Sequence, residues 1–395
     1  MALGESLFLA WQYLKYQSWK SILLIVSIAL VIYLPAALQV LVQQTHTRLM
    51  QRSEATPLVL GARGSALELV LHSLYFESRT VPVVAARALE ELDRQLAPTV
   101  VPLYVRFQAR RYPIVGTSLD YFTVRGLRVR AGRYFGLLGE CVLGADVAHQ
   151  LKLNVGDSLM SSPESFVTLA GVYPLKMHVV GILDATGEPD DRAVFVDVKT
   201  AWIIEGLGHG HQDVVQQEVG EQVLARTERE VTASAAVVQY NEVTPENLHT
   251  FHFHGDPGSF PLTAALVFPK DERAATILLG QYAREDLLTQ LVVPRQVIDH
   301  LMATVFAVRR YLLVAALLVG TSTLITTGMI FALTIRLRQR EIETLVKIGA
   351  GRWRIRAIYA CEIFLVFLAA LTVATVMTWL TSYWSDLLLR VLLRA

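Results

Sequence analysis

The chain has 395 residues, a formal net charge of +1, 18% charged and 53% hydrophobic residues, and a mean hydropathy of +0.41. A soluble domain carries about a quarter charged residues, so the composition points to a membrane protein, and the near-zero net charge gives no reason to expect a nucleic-acid partner. Two cysteines, Cys141 and Cys361, make no disulfide framework and are read as packed thiols.

Residues 1–20 form a leading segment, expected to be cytoplasmic, that holds Lys15 and Lys20. Residues 21–42 are an uncharged apolar run, long enough for a hydrocarbon core that takes about 20 residues. The run exceeds a signal-peptide core and no small-residue cleavage site follows, so it is read as a retained anchor. Pro35 inside it is expected to kink the helix or to mark a turn near the interface. From residue 43 to residue 307 the chain changes to short alternating segments with frequent Gly and scattered Pro, the pattern of a large extracytoplasmic α+β domain in two lobes. Strands are expected on "YPIVGTSLDYF", "ECVLG", "FVTLAGVYPLKMHVVGILDA", "RAVFVDVKTAW" and "LTAALVFP". Helices are expected on "ADVAHQLKL", on "DERAATILLGQYA" and on "VPVVAARALEELDRQL", residues 81–96.

Pro294 suits a helix N-terminus, and Ile298, Leu301, Met302 and Val305 share one face of the helix it opens. No breaker separates that helix from the second apolar run, residues 308–335, so the pattern predicts one rigid rod. Residues 336–356 are basic, with Arg336, Arg338, Arg340, Lys347, Arg352, Arg354 and Arg356 against Glu341 and Glu343. A third apolar run covers 357–384, and "SDLLLRVLLRA", 385–395, is too short to cross and reads as an interfacial tail. The expected fold class is therefore a membrane protein with an α-helical transmembrane part of three spans and a large extracytoplasmic α+β domain.

The lysines and arginines orient the chain with the N-terminus and residues 336–356 inside. Arg309 and Arg310, at the outer end of span two, oppose this and are outnumbered. On composition alone a basic loop is a positive-inside anchor resting on anionic headgroups. The spacing of Ile342, Leu345, Val346 and Ile348 adds an amphipathic helix, and Gly349 and Gly351 permit a chain reversal after it.

No G-x-x-x-x-G-K-[ST] phosphate loop occurs, nor H-E-x-x-H or G-x-S-x-G, so the chain is not expected to be an enzyme. One chemistry-bearing cluster stands out. His209 and His211 in "GLGHGHQDV", and His249, His252 and His254 in "NLHTFHFHGDP", are five of the ten histidines. An H-x-H pair on a strand puts both rings on one face, and imidazole is a good ligand for zinc, copper or nickel. Asp213 and Asp256 are candidate oxygen donors beside it.

Three phrases of the external domain, "VGTSLDYFTVRGLRVRAGRYF", "CVLGADVAHQLKLNVGDSL" and "MHVVGILDATGEPDDRAVFVDVKTAW", resemble the periplasmic core domain of the FtsX/MacB family of ABC-transporter permeases. After span two, "RLRQREIETLVKIGAGRWRIRAIYACEIFLV" resembles the family's cytoplasmic hinge, here Arg338, Glu341 and Ile342, then Gly349 and Ala350, then Glu362. The resemblance implies a bacterial inner-membrane, multi-pass permease subunit that pairs with a second copy or paralogue. It implies a separate cytoplasmic ABC ATPase that holds the ATP. The helix carrying Arg338, Arg340, Glu341, Ile342, Glu343, Leu345, Val346 and Ile348, closed by Gly349 and Gly351, would dock on that ATPase and move the periplasmic domain. The expected work is export or extraction of a lipoprotein, peptide or other envelope substrate, with a periplasmic adaptor or binding protein as a candidate partner. Two alternatives stand beside it. One is a zinc-linked permease that uses the histidines. The other is a scaffold that activates a cell-wall hydrolase, a reading favoured by a long exposed apolar helix such as 81–96. The family has four spans, and this sequence shows three.

Overall fold

The computed structural model describes residues 2–77, 81–162, 174–210, 223–226, 231–233, 241–284 and 286–392. They fall into two compact units, one of residues 1–49 and 300–395, the other Met50–Asp299.

The first unit is helical. Helices Ser18–Glu54, Pro294–Leu337 and Arg352–Leu392 each contain a stretch long and apolar enough to cross a membrane. Leu24, Ile28 and Ala29 pack with Phe331 and with Val366, Ala370 and Ala374. Small residues at these positions let helices approach closely where lipid supplies no hydrophobic drive between them. Polar contacts add to the packing, with the Tyr33 and Thr381 hydroxyls 2.9 Å apart and Lys20 Nζ donating to Thr334 Oγ1 at 2.6 Å. A fourth helix, Ala2–Tyr16, packs against Arg352–Leu392.

Two expectations change here and a third is met. The helix Ser18–Glu54 continues through Pro35 without a break, because neighbouring carbonyls and side chains can accommodate the missing N–H. The rod that begins at Pro294 runs 44 residues to Leu337, as its uninterrupted pattern predicts. Residues 385–392 form no separate tail, since the third apolar helix carries on to Leu392.

The second unit is built on one ten-stranded sheet. Across it the strands run Thr289–Val292, Leu58–Ala62, Ala264–Phe268, Thr99–Ala109, Tyr112–Thr117, Val194–Asp197, Glu140–Leu143, Lys176–Leu183 and Val129–Gly132, with Ser158–Met160 also on Lys176–Leu183. Pairing is antiparallel except between Tyr112–Thr117 and Val194–Asp197 and between Glu140–Leu143 and Lys176–Leu183. The helices that cover the sheet start where the sequence supplies caps. Ser65 accepts from Glu68 N, Asp197 from Lys199 N and Asp271 from Ala274 N, each satisfying a donor the first turn leaves orphaned.

One continuous sheet replaces the two lobes expected from the sequence. Two of the apolar stretches read as strands alone turn into helices, Asp120–Arg125 after Tyr112–Thr117 and Val198–Ile204 after Val194–Asp197. The helix expected over 81–96 is a strand pair at Val84–Ala85 and one helical turn at Arg87–Glu90, with Ala88, Leu89 and Leu92 buried in the core. The long exposed apolar helix that a scaffold would use is therefore not formed by this stretch. The part of "FVTLAGVYPLKMHVVGILDA" before Pro174 lies outside the described residues, and its remainder forms Lys176–Leu183.

Candidate functional site

The basic loop folds as a nine-residue helix, Gln339–Lys347, directly after the helix that ends at Leu337. Its end is a Schellman closure. Gly349 N donates to Val346 O at 3.0 Å and Ala350 N to Leu345 O at 2.9 Å, with Gly349 at φ +96°. That backbone conformation costs an L-residue about 1–2 kcal/mol and glycine nothing. Gly351 then opens the third apolar helix, its carbonyl accepting from Arg354 N at 2.9 Å. Of the two glycines, Gly349 makes the reversal that their spacing suggested, while Gly351 has no left-handed backbone.

The structure divides the expected docking residues into two groups. Arg338 is 6% exposed and pairs with Glu362, 3% exposed, at 3.4 Å, while its guanidinium lies 4.2 Å from the Tyr13 ring centroid. The Tyr13 hydroxyl in turn donates to Glu341 at 3.4 Å. Arg338 therefore belongs to the inside of the helical unit and not to a docking surface, a correction to its expected role. Burial explains it, because a charge at the junction of apolar helices is retained only when paired. Ile342 and Leu345 are half-buried, while Arg340, Glu341, Glu343, Gly349 and Gly351 are exposed. The apolar side chains most open to a partner are Val346 at 45%, Ile348 at 78% and Trp353 at 80% exposure. Trp353 was not among the expected residues, although an aromatic among three arginines, Arg352, Arg354 and Arg356, at the loop's end is the signal that marks it.

A second arrangement was missed altogether from the sequence. Arg52, in the last turn of the helix Ser18–Glu54, is buried in the α/β unit. It donates to Asp190 Oδ2 at 2.5 Å and Oδ1 at 3.2 Å, to Glu188 at 3.3 Å, to the Tyr121 hydroxyl at 3.2 Å and to the Leu74 carbonyl. Tyr121 also donates to Asp190, at 2.6 Å. Burial pushes the Asp190 carboxyl up, but the charge of Arg52 and the hydrogen bonds from Arg52 and Tyr121 outweigh it and hold the group below the usual carboxylate range. Nearby, Glu54 and Arg295 lie 3.6 Å apart, so the ends of the two long helices also meet. An arginine ten residues past an apolar run was the available signal, yet nothing in the sequence tied it to "EPDDR".

The histidines are brought partly together. Strand Gly208–Gly210 pairs antiparallel with Phe251–Phe253, placing His209 directly opposite His252. His254 N donates to Leu207 O at 3.0 Å, which extends the ladder by one step. The ligand atoms of His209, His252 and His254 all lie within 4.8 Å of one another. His249 sits on the 3-10 turn Leu248–Thr250, outside that group, and His211 and Asp213 lie outside the described residues. Asp256 is taken up by Arg87 at 3.1 Å and by the Gly258 N–H at 3.0 Å, and Cys141 is buried in the central sheet, so neither is a donor here.

Long apolar helices flanking a sheet domain inserted in sequence between the first and second of them define a membrane-anchored protein with one large α/β domain. The profile of the MacB-like periplasmic core domain family matches residues 21–243, more than half of the chain, and the chain belongs to that family. Solved structures with which it aligns include the periplasmic region of MacB from Actinobacillus actinomycetemcomitans, at 9% identity and a TM-score of 0.35 over 64% of this chain and 97% of that one. Another is the extracellular domain of the noncanonic ABC-type transporter YknZ from Gram-positive bacteria, at 12% identity and a TM-score of 0.31 over 60% and 98%. A third is a domain of a permease-like protein from Porphyromonas gingivalis, at 10% identity and a TM-score of 0.26 over 60% and 86%. No curated protein matches the chain significantly.

Proposed function

We propose that the chain is the permease subunit of an ABC transporter of the mechanotransmission type. It sits in the bacterial inner membrane with its N-terminus cytoplasmic and pairs with a second copy or a paralogue. A separate ABC ATPase hydrolyses ATP, and the chain passes the resulting motion to its periplasmic domain to export or extract a lipoprotein, peptide or other envelope substrate.

The observation that carries this reading is the loop between spans two and three. It is a short amphipathic helix, closed at a fixed angle by Gly349 and tied internally by Arg338 and Glu362, that leaves Ile348 and Trp353 open beside Arg340, Arg352, Arg354 and Arg356. Burying a side chain such as Ile348 in a partner contributes about 1.5–3 kcal/mol, and leaving it in water offers no such return. The two long helices support the outward half of the reading. Ser18–Glu54 and Pro294–Leu337 each continue from an apolar span into residues of the α/β unit. The buried Arg52–Asp190 pair fixes the last turn of the first, so displacement along that helix would be handed to the sheet domain and not absorbed in a linker.

The test is site-specific photo-crosslinking in native membranes from Val346, Ile348 and Trp353. The expected result is a single crosslinked protein bearing a phosphate-binding loop. Crosslinks to lipid alone would remove the docking surface and leave the basic loop as a topological anchor.

A further inference from the structure

We propose that His209, His252 and His254 form a transition-metal site of the zinc class on the outer domain, independent of any docking at the loop. The local sequence builds the site in a specific way. In the ribbon made by Gly208–Gly210 and Phe251–Phe253, alternate side chains leave opposite faces. Gly208 lies opposite Phe253 and Gly210 opposite Phe251, and a Cβ on either glycine would come within 2.7 Å of the facing ring. The glycines thus let both phenyl rings lie flat across the neighbouring strand. Phe251 and Phe253 pack against the main core, and the Phe253 ring lies 5.9 Å from that of Phe260, tilted by 45°. The other face carries the imidazoles of His209 and His252 as a cross-strand pair, and His254, two residues along, returns to the same side.

The spacing suits a metal. His209 Nε2 and His254 Nε2 are 3.4 Å apart. Two nitrogens bound to one tetrahedral zinc at about 2.0–2.1 Å stand about 3.3–3.4 Å apart. The ring centroids of His252 lie 5.2 Å from His209 and 4.8 Å from His254, so the third imidazole reaches the same point by a side-chain rotation. His252 Nδ1 donates to the Thr250 carbonyl at 2.9 Å. That bond fixes the tautomer in which Nε2 carries the lone pair, the second-shell arrangement that orients a ligating histidine. Three imidazole nitrogens, with no carboxylate in the group among the described residues, favour zinc, copper or nickel over calcium or magnesium, which take oxygen. With two of the three ligands exposed, the fourth coordination position opens to solvent, and the ion can be exchanged there with an outside donor.

The experiment uses the full chain purified in detergent through a tag without histidine, stripped with a chelator and titrated with Zn(II) against a chromophoric competitor. X-ray absorption would then be recorded on the loaded sample. One equivalent bound, with nitrogen scatterers at about 2.0–2.1 Å, is expected. His209→Gln, His252→Gln and His254→Gln should each weaken binding at least about tenfold, because disturbing even an outer-shell partner costs 10–100-fold. His249→Gln should leave it unchanged. With the five tryptophans of the helical unit replaced by Phe, Trp202 fluorescence checks that each variant keeps the α/β unit folded. Absence of binding by the parent chain, oxygen-only coordination, or undiminished binding by the triple variant would each overturn the assignment.

Discussion

Replacing Asp190 by Asn removes the charge that Arg52 faces and keeps the shape of the side chain. The guanidinium would remain buried with the Tyr121 hydroxyl, the Leu74 carbonyl and Glu188, of which the last is partly open to water. Breaking a buried ion pair from one side costs about 3–5 kcal/mol, a large share of the 5–15 kcal/mol that holds a typical domain together. A double variant, Arg52→Met with Asp190→Leu, removes both members of the pair together and should recover part of that loss, the remainder reflecting the neighbouring Arg125, which also faces Asp190. Trp202 is a suitable reporter because the other five tryptophans belong to the helical unit, and its indole donates to the Pro261 carbonyl at 2.8 Å inside the core. With those five replaced by Phe, denaturant unfolding of the full chain in detergent gives the stability of the α/β unit. The pH dependence has a fixed sign. The Asp190 carboxyl is held below its unfolded value, so its contribution is complete above about pH 4 and fades as the pH falls through the lower folded value. The Asn variant should therefore lose stability at neutral pH and show a shallower acid limb. If Asp190→Asn unfolds within about 0.5 kcal/mol of the parent, the pair does not anchor the helix end as described.

Three further outcomes are expected. Gly349→Val should fray the loop helix, since a β-branched residue at φ +96° loses at least the 1–2 kcal/mol cost of that conformation; trypsin cleavage at Lys347 should accelerate while membrane insertion is unchanged. Ile348→Asp with Trp353→Asp should weaken binding of the ATPase by about 2 kcal/mol or more, roughly thirtyfold, whereas Ile342→Asp should act mainly on the folding of the loop, because Ile342 is half-buried. Burial pushes the Cys141 thiol well up, so iodoacetamide should label it only after unfolding; rapid labelling of native protein would contradict its place in the central sheet.

The membrane part was legible because hydrophobic length is a local property, and Pro294 followed by an unbroken amphipathic pattern specified a rod. The reversal at Gly349 was legible for the same reason, since a glycine after an amphipathic run is a local cap signal. The long-range partners were not. Arg338 reads as one more basic residue of the loop until Glu362, 24 positions on, is folded against it. Arg52 and Asp190 are 138 positions apart, and neither belongs to a periodic pattern. The stretch 81–96 has helical spacing, yet its residues pair Val84–Ala85 with Pro261–Leu262 and bury Leu92, so tertiary contact overrides the local preference. The H-x-H pairs drew attention to His209, His252 and His254 as residues. That His209 faces His252 is a register fact, which only the pairing of Gly208–Gly210 with Phe251–Phe253 supplies.

The most direct test of the proposed role is purification of the tagged full chain from its native membrane in mild detergent, alongside the Ile348→Asp, Trp353→Asp variant, with mass spectrometry of whatever co-purifies. The account predicts an ABC ATPase in the first sample and its loss from the second, with the chain equally abundant in both. Recovery of the parent chain with no ATPase, or an ATPase retained undiminished by the variant, would contradict it.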